Sequence, residues 1–188
     1  MAVATLREAL RRSASEGSGR WLFCENPHAQ PDGPLYFCSY LYYLSKYYEL
    51  LDTALQLLKG RAPPHFGLHV YHHSLVLLMA WGWLEYVQSL QYIGLLFNTS
   101  VHVVMYYYYF LKAKGVDVWW KRFVTKFQIF QFAISLCCFC VTAAMIANGA
   151  ECAGTGMLLL NLVFNVTLLF QFSNLLGGSG GKGETKRL

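Results

Sequence analysis

Two groups of histidines lie within apolar segments of this chain, and they are the residues best suited to do chemistry. His69, His72 and His73 form a His-x-x-His-His pattern, and His102 precedes the tyrosine run Tyr106–Tyr109. At 3.6 residues per turn, the first three share one helix face, and His102 shares a face with the first and last tyrosines of that run. Polar groups at bilayer depth are costly and are usually kept for function. Because imidazole can act as acid, base, nucleophile or metal ligand, the pattern predicts a histidine site.

The composition is that of a membrane protein. Of 188 residues, 55% are apolar and only 13% are charged, which is too apolar for an ordinary soluble domain. The net charge of +5 is modest and spread over loops, so no nucleic-acid partner is expected. Cys137, Cys138 and Cys140 lie in an apolar run, where thiols behave as small hydrophobes. Cys24 and Cys152 are one candidate pair for a disulfide.

Five apolar segments follow one another, each near the ~20 residues that a membrane helix needs. They cover residues 35–58, 66–88, 91–111, 123–147 and 155–176. We therefore predict an all-α integral membrane protein with about five transmembrane helices in a bundle. The organisation expected is a non-spanning segment 1–34, a membrane domain 35–176 and a flexible basic tail 177–188.

Loop charges predict the orientation. Lysine and arginine occur in the loops 59–65 and 112–122 and in the tail, whereas the turns 88–91 and 148–155 contain neither. Cytoplasmic loops carry the excess of basic residues. The C-terminus is therefore expected in the cytosol, with the N-terminus across the membrane.

Polar residues in the other segments are predicted to face the same interior. Lys46, Glu49 and Asp52 follow one another at i, i+3 and i+6, so they form a stripe. This stripe could be an ion pair that lowers the cost of insertion, or a network that orients a catalytic histidine or binds a polar substrate group. Asn98 and His102 stand at i and i+4, where the amide could fix the tautomer of the imidazole. The pattern predicts a helical bundle around a polar chamber.

The histidines suit a nucleophile better than a di-iron centre. Di-iron membrane oxygenases need several histidine boxes, and here only one His-x-x-His-His pattern is present, with few intramembrane acids. A single metal ion stays open. Since no embedded serine or cysteine lies in a nucleophile motif, acyl transfer would fall to a histidine, with a second histidine as acid or base.

Four ordered motifs identify a family resemblance. They are Lys46-x-x-Glu49-x-x-Asp52-Thr53, His69-x-x-His72-His73, His102-x-x-Met105-Tyr106-x-Tyr108-Tyr109 and Thr125-x-x-Gln128-x-x-Gln131. Over residues 21–176 the chain resembles the fatty acid elongases, the membrane 3-ketoacyl-CoA synthases of very-long-chain lipid synthesis. The resemblance implies seven membrane helices around an acyl tunnel. This chain would hold the last five, and its segment 1–34 would include the end of a preceding helix.

The resemblance also implies the reaction and its residues. A long-chain acyl-CoA would condense with malonyl-CoA, with loss of CO2, to a 3-oxoacyl-CoA, through an acyl group carried on His72. His102 would act on the malonyl unit or stabilise the enolate oxygen, with Asn98 orienting it. His69 and His73 would position or polarise neighbouring groups.

The rest of the expected site, and its surroundings, are also implied by the resemblance. Supporting residues would be Lys46, Glu49, Asp52, Tyr106, Tyr109 and Gln128. CoA phosphates would bind Lys121, Arg122 and Lys126. No cofactor or metal is expected beyond the two CoA substrates. The protein would be a multi-pass protein of the endoplasmic reticulum membrane, in contact with membrane lipid, with the reductases and dehydratase of the cycle as partners and a homo- or hetero-oligomeric state.

Two other functions remain as hypotheses. One is a catalytically inactive, truncated elongase-like protein that binds acyl-CoA or partners with full-length elongases. The other is a metal-dependent membrane oxidase, which would bind iron and be sensitive to chelators.

Overall fold

The fold is a bundle of α-helices. The computed structural model describes residues 1–60 and 65–178, which contain six α-helices and no strand. They are α1 (Ala2–Ser15), α2 (Gly33–Leu58), α3 (Phe66–Glu85), α4 (Gln91–Ala113), α5 (Lys121–Ala147) and α6 (Thr155–Gly178), with a short 3-10 helix at Arg20–Leu22. Each boundary of α2 to α6 lies within three residues of its predicted position, so the all-α prediction is confirmed. The tail from residue 179 and the loop 61–64 lie outside the described residues.

Glycines end two of the long helices where the sequence predicts breaks. Gly115 follows α4 with φ 76°, and Gly149 follows α5 with φ 86°. A residue without a Cβ enters this left-handed region without steric cost, which is why glycine commonly follows the last helical turn. These turns reverse the chain and make α4, α5 and α6 neighbours.

The five long helices close into a ring. Contacts run from α2 to α3, α3 to α6, α6 to α5, α5 to α4 and α4 back to α2, while α1 packs on α2 and α4. On one side of the ring, Tyr42, Ala80 and Leu95 are buried where α2, α3 and α4 meet. On the other, Met79 and Phe132 join α3 and α5 to α6. The ring encloses an interior that all five helices line.

Two of the described helices are long and apolar enough to cross a membrane by length and composition. They are α5, with mean hydropathy 2.2, and α6 (counted over Thr155–Gly177), with mean hydropathy 1.6. The predicted segments α2, α3 and α4 form helices of 26, 20 and 23 residues. These three carry the polar stripes and the histidines, which lower their mean hydropathy.

A further helix, α1, was not among the predicted segments. It has no long apolar run, and it is supported instead by ion pairs one turn apart, Arg11 with Glu8 and Arg12 with Glu16. Arg12 also donates two hydrogen bonds, of 2.6 and 2.8 Å, to the buried carboxylate of Glu25. Burial acts to lower the pKa of the Arg12 guanidinium, but its hydrogen bonds to Glu25 and Glu16 outweigh burial and hold that pKa above its ordinary value.

The N-terminal segment is tied to the end of the bundle that carries the two turns without lysine or arginine. Cys24 and Cys152 form a disulfide, with their Cα atoms 4.8 Å apart, which confirms the candidate pair. Beside it, Ser89 Oγ donates to the carbonyl of Ala153 at 3.0 Å and accepts from the backbone N–H of Glu25 at 3.0 Å. The disulfide and these bonds join the N-terminal segment, the α3–α4 turn and the α5–α6 turn.

The disulfide is expected to contribute much of the stability of this end. It closes a separation of 128 residues, and disulfides that close long loops typically stabilise by about 2–4 kcal/mol. The double variant Cys24→Ser/Cys152→Ser should therefore melt roughly 10 °C below the wild type, measured by tryptophan fluorescence in detergent. Cys140→Ser, which removes an exposed free thiol, is the control and should leave the melting temperature unchanged. Equal melting of the double variant and the wild type would contradict this role.

Candidate active site

A buried ion pair lies at the centre of the site. Lys46 and Glu49 are one turn apart on α2, and Lys46 Nζ donates to Glu49 Oε1 at 2.7 Å. Their side chains are 2% and 9% exposed. Nζ also donates to Asn98 Oδ1 on α4 at 3.1 Å. Charges removed from water are tolerated only when they are paired and hydrogen-bonded, so this pair requires partners from neighbouring helices.

Two histidines from different helices face the Glu49 carboxylate. His73 Nδ1, on α3, lies 3.7 Å from Oε2, and His102 Nδ1, on α4, lies 3.5 Å from Oε1. These distances are too long for short hydrogen bonds, although such contacts often tighten when substrate binds. The carboxylate therefore stands between the two imidazoles and favours a proton on the Nδ1 that faces it.

His72 faces the interior of the ring. Its ring stacks on Phe164 of α6, with centroids 6.1 Å apart and planes 7° apart, and meets His73 edge-on at 5.1 Å. It lines a narrow cavity of about 50 Å³. Apolar side chains form the larger part of the wall, among them Val76, Met79, Trp83, Phe132 and Phe164. The wall also contains the polar residues Asn98, Gln131, Ser135, Asn161 and Asn165. The His72 imidazole thus opens into a cavity that is mainly apolar but has several polar side chains.

His69 lies one turn before His73 and contacts both α2 and His73. Its Nε2 lies 2.7 Å from the hydroxyl of Thr53 on α2, and its ring centroid is 4.2 Å from that of His73. This arrangement suits a residue that positions His73. Over residues 1–60 and 65–178, no group of three or more His, Cys, Asp and Glu is arranged to hold a metal ion.

The contacts of Asn98 differ from the predicted ones. We expected it to orient His102, but its Oδ1 accepts from Lys46 and from the hydroxyl of Tyr42 at 2.8 Å. The orienting group beside His102 is Glu49. Sequence spacing places Asn98 and His102 on one helix face, but the rotation of α2 against α4 decides which partner each side chain meets.

The other predicted supporting residues differ in what they contact. Tyr106 packs edge-on against His102, with centroids 5.8 Å apart, and Tyr109 against Tyr106 at 6.4 Å. Gln128 contacts Met105 Sδ at 3.9 Å, while Gln131, one turn further on, lines the cavity. The side chain of Asp52 lies outside the described part of the chain.

The predicted CoA ligands lie on the surface near the start of α5. Lys121, Arg122 and Lys126 are exposed. Lys121 begins the helix that brings Gln131 to the cavity, about 15 Å along the axis at 1.5 Å per residue. In the last turn of α4, the Lys112 ammonium donates to Asp117 at 3.0 Å and holds the pKa of that carboxyl below its usual value. The three predicted CoA ligands thus stand on the same helix as Gln131, toward its N-terminus.

Comparison with known proteins decides the family. The model of the ELO family, described as the GNS1/SUR4 family, matches residues 1–179. The chain belongs to this family. The membership confirms the resemblance drawn from the four motifs, and with it a helical membrane protein of the elongase type.

Curated relatives carry elongase names. The chain is 39% identical over 104 residues to fatty acid elongase A of Dictyostelium discoideum, covering 55% of this chain and 38% of that protein. It is 34% identical over 151 residues to fatty acid elongase 4 of Trypanosoma brucei brucei, covering 78% and 58%. It is 40% identical over 103 residues to very long chain fatty acid elongase 7 of Rattus norvegicus, covering 50% and 36%. The chain thus covers between 36% and 58% of the length of these three relatives. No solved structure matches the chain.

Sequence reasoning missed two side chains that contact residues of the candidate site. Tyr42 stands among several tyrosines of α2 and has no motif around it, although its i, i+4 spacing to Lys46 is a usable signal. Phe164 is one of many apolar residues of α6, and its stacking on His72 depends on how the ring of helices closes.

Removing one member of the buried pair should destabilise the protein more than removing both. Lys46→Met leaves the Glu49 carboxylate buried without its cation, which typically costs about 3–5 kcal/mol. Lys46→Met/Glu49→Gln should recover much of that loss, because no buried charge remains.

The matched control removes an exposed lysine from an ion pair. Lys112→Met breaks the pair with Asp117, and exposed pairs contribute little. Thermal unfolding in detergent measures all three variants, and Lys112→Met should melt like the wild type. A single variant Lys46→Met as stable as the wild type would contradict the central place given to this pair.

Proposed function

We propose that this chain catalyses the condensing step of very-long-chain fatty acid elongation. A long-chain acyl-CoA and malonyl-CoA would give a 3-oxoacyl-CoA, free CoA and CO2. The observation that carries the proposal is the position of His72, an imidazole in the wall of a largely apolar cavity with the Lys46–Glu49 pair and two further histidines nearby.

The first half of the reaction is transfer of the acyl group to His72. A neutral ring nitrogen attacks the thioester carbonyl carbon, the carbon–sulfur bond breaks, and CoA leaves as the thiol after taking up the proton from the imidazole. Histidine forms such covalent intermediates when a neighbouring group accepts or donates the proton. His73, whose ring centroid lies 5.1 Å from that of His72, would relay it. An apolar wall favours the acyl-imidazole because it keeps out the water that would hydrolyse it.

The second half is decarboxylation of the malonyl unit and carbon–carbon bond formation. Loss of CO2 leaves an enolate, whose carbon attacks the acyl carbon on His72. The carbon–nitrogen bond breaks, and the released imidazole takes back one proton from solvent, the proton that the overall reaction consumes. Charge develops on the enolate oxygen, and a donor placed there supplies the largest single contribution to catalysis. His102 suits this role, since Glu49 on its Nδ1 side leaves Nε2 directed elsewhere and holds the ring orientation.

The exposed cations of α5 and the membrane setting support the proposed substrates. Lys121, Arg122 and Lys126 would bind the CoA phosphates, and the acyl chain would enter the ring of helices. No cofactor takes part in either half. The reductases and dehydratase of the elongation cycle would consume the product, in a homo- or hetero-oligomeric setting within the membrane.

The proposed location is the endoplasmic reticulum membrane, with the C-terminus in the cytosol. Basic loops lie at one end of the bundle. The Cys24–Cys152 disulfide lies at the other, and disulfides persist in oxidising compartments such as the lumen of the endoplasmic reticulum.

The nucleophile is tested with His72→Ala. Expressed in a host that lacks its own elongases, the wild-type chain should incorporate radiolabelled malonyl-CoA into longer acyl chains. His72→Ala should lower that incorporation by at least about 10³-fold, since the covalent route is lost.

The control is His28→Ala, which replaces an exposed imidazole outside the site and should retain activity. Unchanged incorporation by His72→Ala would overturn the assignment. Membrane expression without malonyl-dependent incorporation by the wild type would favour the inactive acyl-CoA-binding alternative.

The orientation is tested with glycosylation tags. A tag in the 148–155 turn should be modified in the endoplasmic reticulum, and a tag in the 112–122 loop should not, because only lumenal sites meet the transferase. A gel shift reports the modification. The reverse pattern would contradict the proposed topology.

A further inference from the structure

The Asn98 carboxamide is held through its oxygen atom. Its Oδ1 accepts a hydrogen bond of 2.8 Å from the Tyr42 hydroxyl and one of 3.1 Å from Lys46 Nζ. All three residues are buried, Tyr42 at 1%, Lys46 at 2% and Asn98 at 8% exposure. A carbonyl oxygen has two lone pairs, so these two donors use its accepting capacity.

The chemistry of the partners fixes which way the amide points. An ammonium group can only donate, so the atom 3.1 Å from Lys46 Nζ must be the amide oxygen. A flipped amide would bring its NH2 group against the ammonium, which repels it. The NH2 group of Asn98 therefore points away from Lys46 and Tyr42, and Asn98 lines the same cavity as His72.

Tyr42 is itself held firmly. Its ring stacks on Trp83 with centroids 5.4 Å apart, and Lys46 Nζ lies 4.4 Å from the centre of the same ring. Cys38, Ala80 and Leu95 pack around it in a buried cluster. The fixed ring thus holds the hydroxyl within hydrogen-bond distance of Asn98 Oδ1.

We propose that Tyr42 is a positioning residue that, with Lys46, aims the Asn98 NH2 group into the cavity as a hydrogen-bond donor to the carbonyl oxygen of the thioester. The inference rests on the proposed function and deepens it. As the His72 nitrogen bonds to the carbonyl carbon, the carbonyl oxygen becomes an oxyanion, and the Asn98 N–H stabilises it until the carbon–sulfur bond breaks. The Lys46 charge behind the amide oxygen polarises the amide and makes its N–H a stronger donor.

The kinetic test removes one hydroxyl. Tyr42→Phe keeps the ring and its stacking, so kcat should fall about 10-fold, the effect of one orienting hydrogen bond, while KM stays within about 2-fold. Asn98→Ala removes the donor itself and should lower kcat about 10²-fold. In the double variant, Tyr42→Phe should add almost nothing to Asn98→Ala, because it acts only through that amide.

A matched control uses the next residue on α2. Tyr43→Phe removes a hydroxyl that contacts Tyr47 rather than Asn98, and its kinetics should equal those of the wild type. The proposal would be overturned if the double variant lost the product of the two single-variant factors in kcat. It would also be overturned if Tyr42→Phe left kcat unchanged.

A spectroscopic test needs no turnover. The probe is a carbon-13 ketone analogue of palmitoyl-CoA, in which a methylene group separates sulfur from the carbonyl so that transfer cannot occur. In the purified full chain, the carbonyl stretch of the probe should lie at lower frequency than in water. This shift should be smaller in Tyr42→Phe and smallest in Asn98→Ala.

Together, the two tests distinguish a wrong donor assignment from a wrong proposed function. A shifted carbonyl band in a chain that shows no condensation would uphold the donor and overturn the proposed function. Condensation with a carbonyl band that is the same in wild type, Tyr42→Phe and Asn98→Ala would uphold the function and overturn the donor. An unshifted band in a chain without condensation would overturn both.

Discussion

The buried Lys46–Glu49 ion pair is the constraint on which the rest of the site depends. Two opposite charges inside a bundle surrounded by lipid have no bulk water, so every remaining donor and acceptor needs a partner within the protein. On α3 and α4, His73 Nδ1 and His102 Nδ1 face the Glu49 carboxylate at 3.7 and 3.5 Å, and Asn98 accepts a hydrogen bond from Lys46. The ion pair on α2 thus stands where two neighbouring helices bring their imidazoles together.

The two ends of the ring have opposite characters, and this division suits the proposed chemistry. Near the loops that carry basic residues lie the three histidines of α3 and the exposed cations of α5, and the Lys46–Glu49 pair lies near the middle of α2. At the far end, the disulfide and the Ser89 hydrogen bonds hold three segments together. Between them the wall is mostly apolar, with Met79, Trp83 and Phe132 facing the cavity. In the proposed reaction, the CoA head group and the alkyl chain would thus occupy separate places along one axis.

Much of the fold could be predicted from the sequence because local rules govern it. Hydrophobic runs near the membrane length gave helix boundaries to within three residues, and i, i+3 spacing placed Lys46 against Glu49. The helix α1 was expected only as the end of a preceding helix, because ion pairs rather than an apolar run support it.

Contacts between helices could not be predicted in the same way, because they depend on helix rotation and depth. A difference of one turn brings Gln131 rather than Gln128 to the cavity. Likewise, the partner of Asn98 is Tyr42 instead of His102. These side chains satisfy the same sequence pattern, and only the packed ring distinguishes them.

The central claim is that the Lys46–Glu49 pair holds imidazoles around a cavity in which His72 accepts an acyl group. The most direct measurement is to incubate the purified chain with palmitoyl-CoA without malonyl-CoA, digest it, and locate the acyl group by mass spectrometry in wild type and in Glu49→Gln. We predict the acyl group on His72 in the wild type, at a level at least about 10-fold lower in Glu49→Gln. Acylation of a different side chain, or equal acylation of His72 in both proteins, would contradict the account.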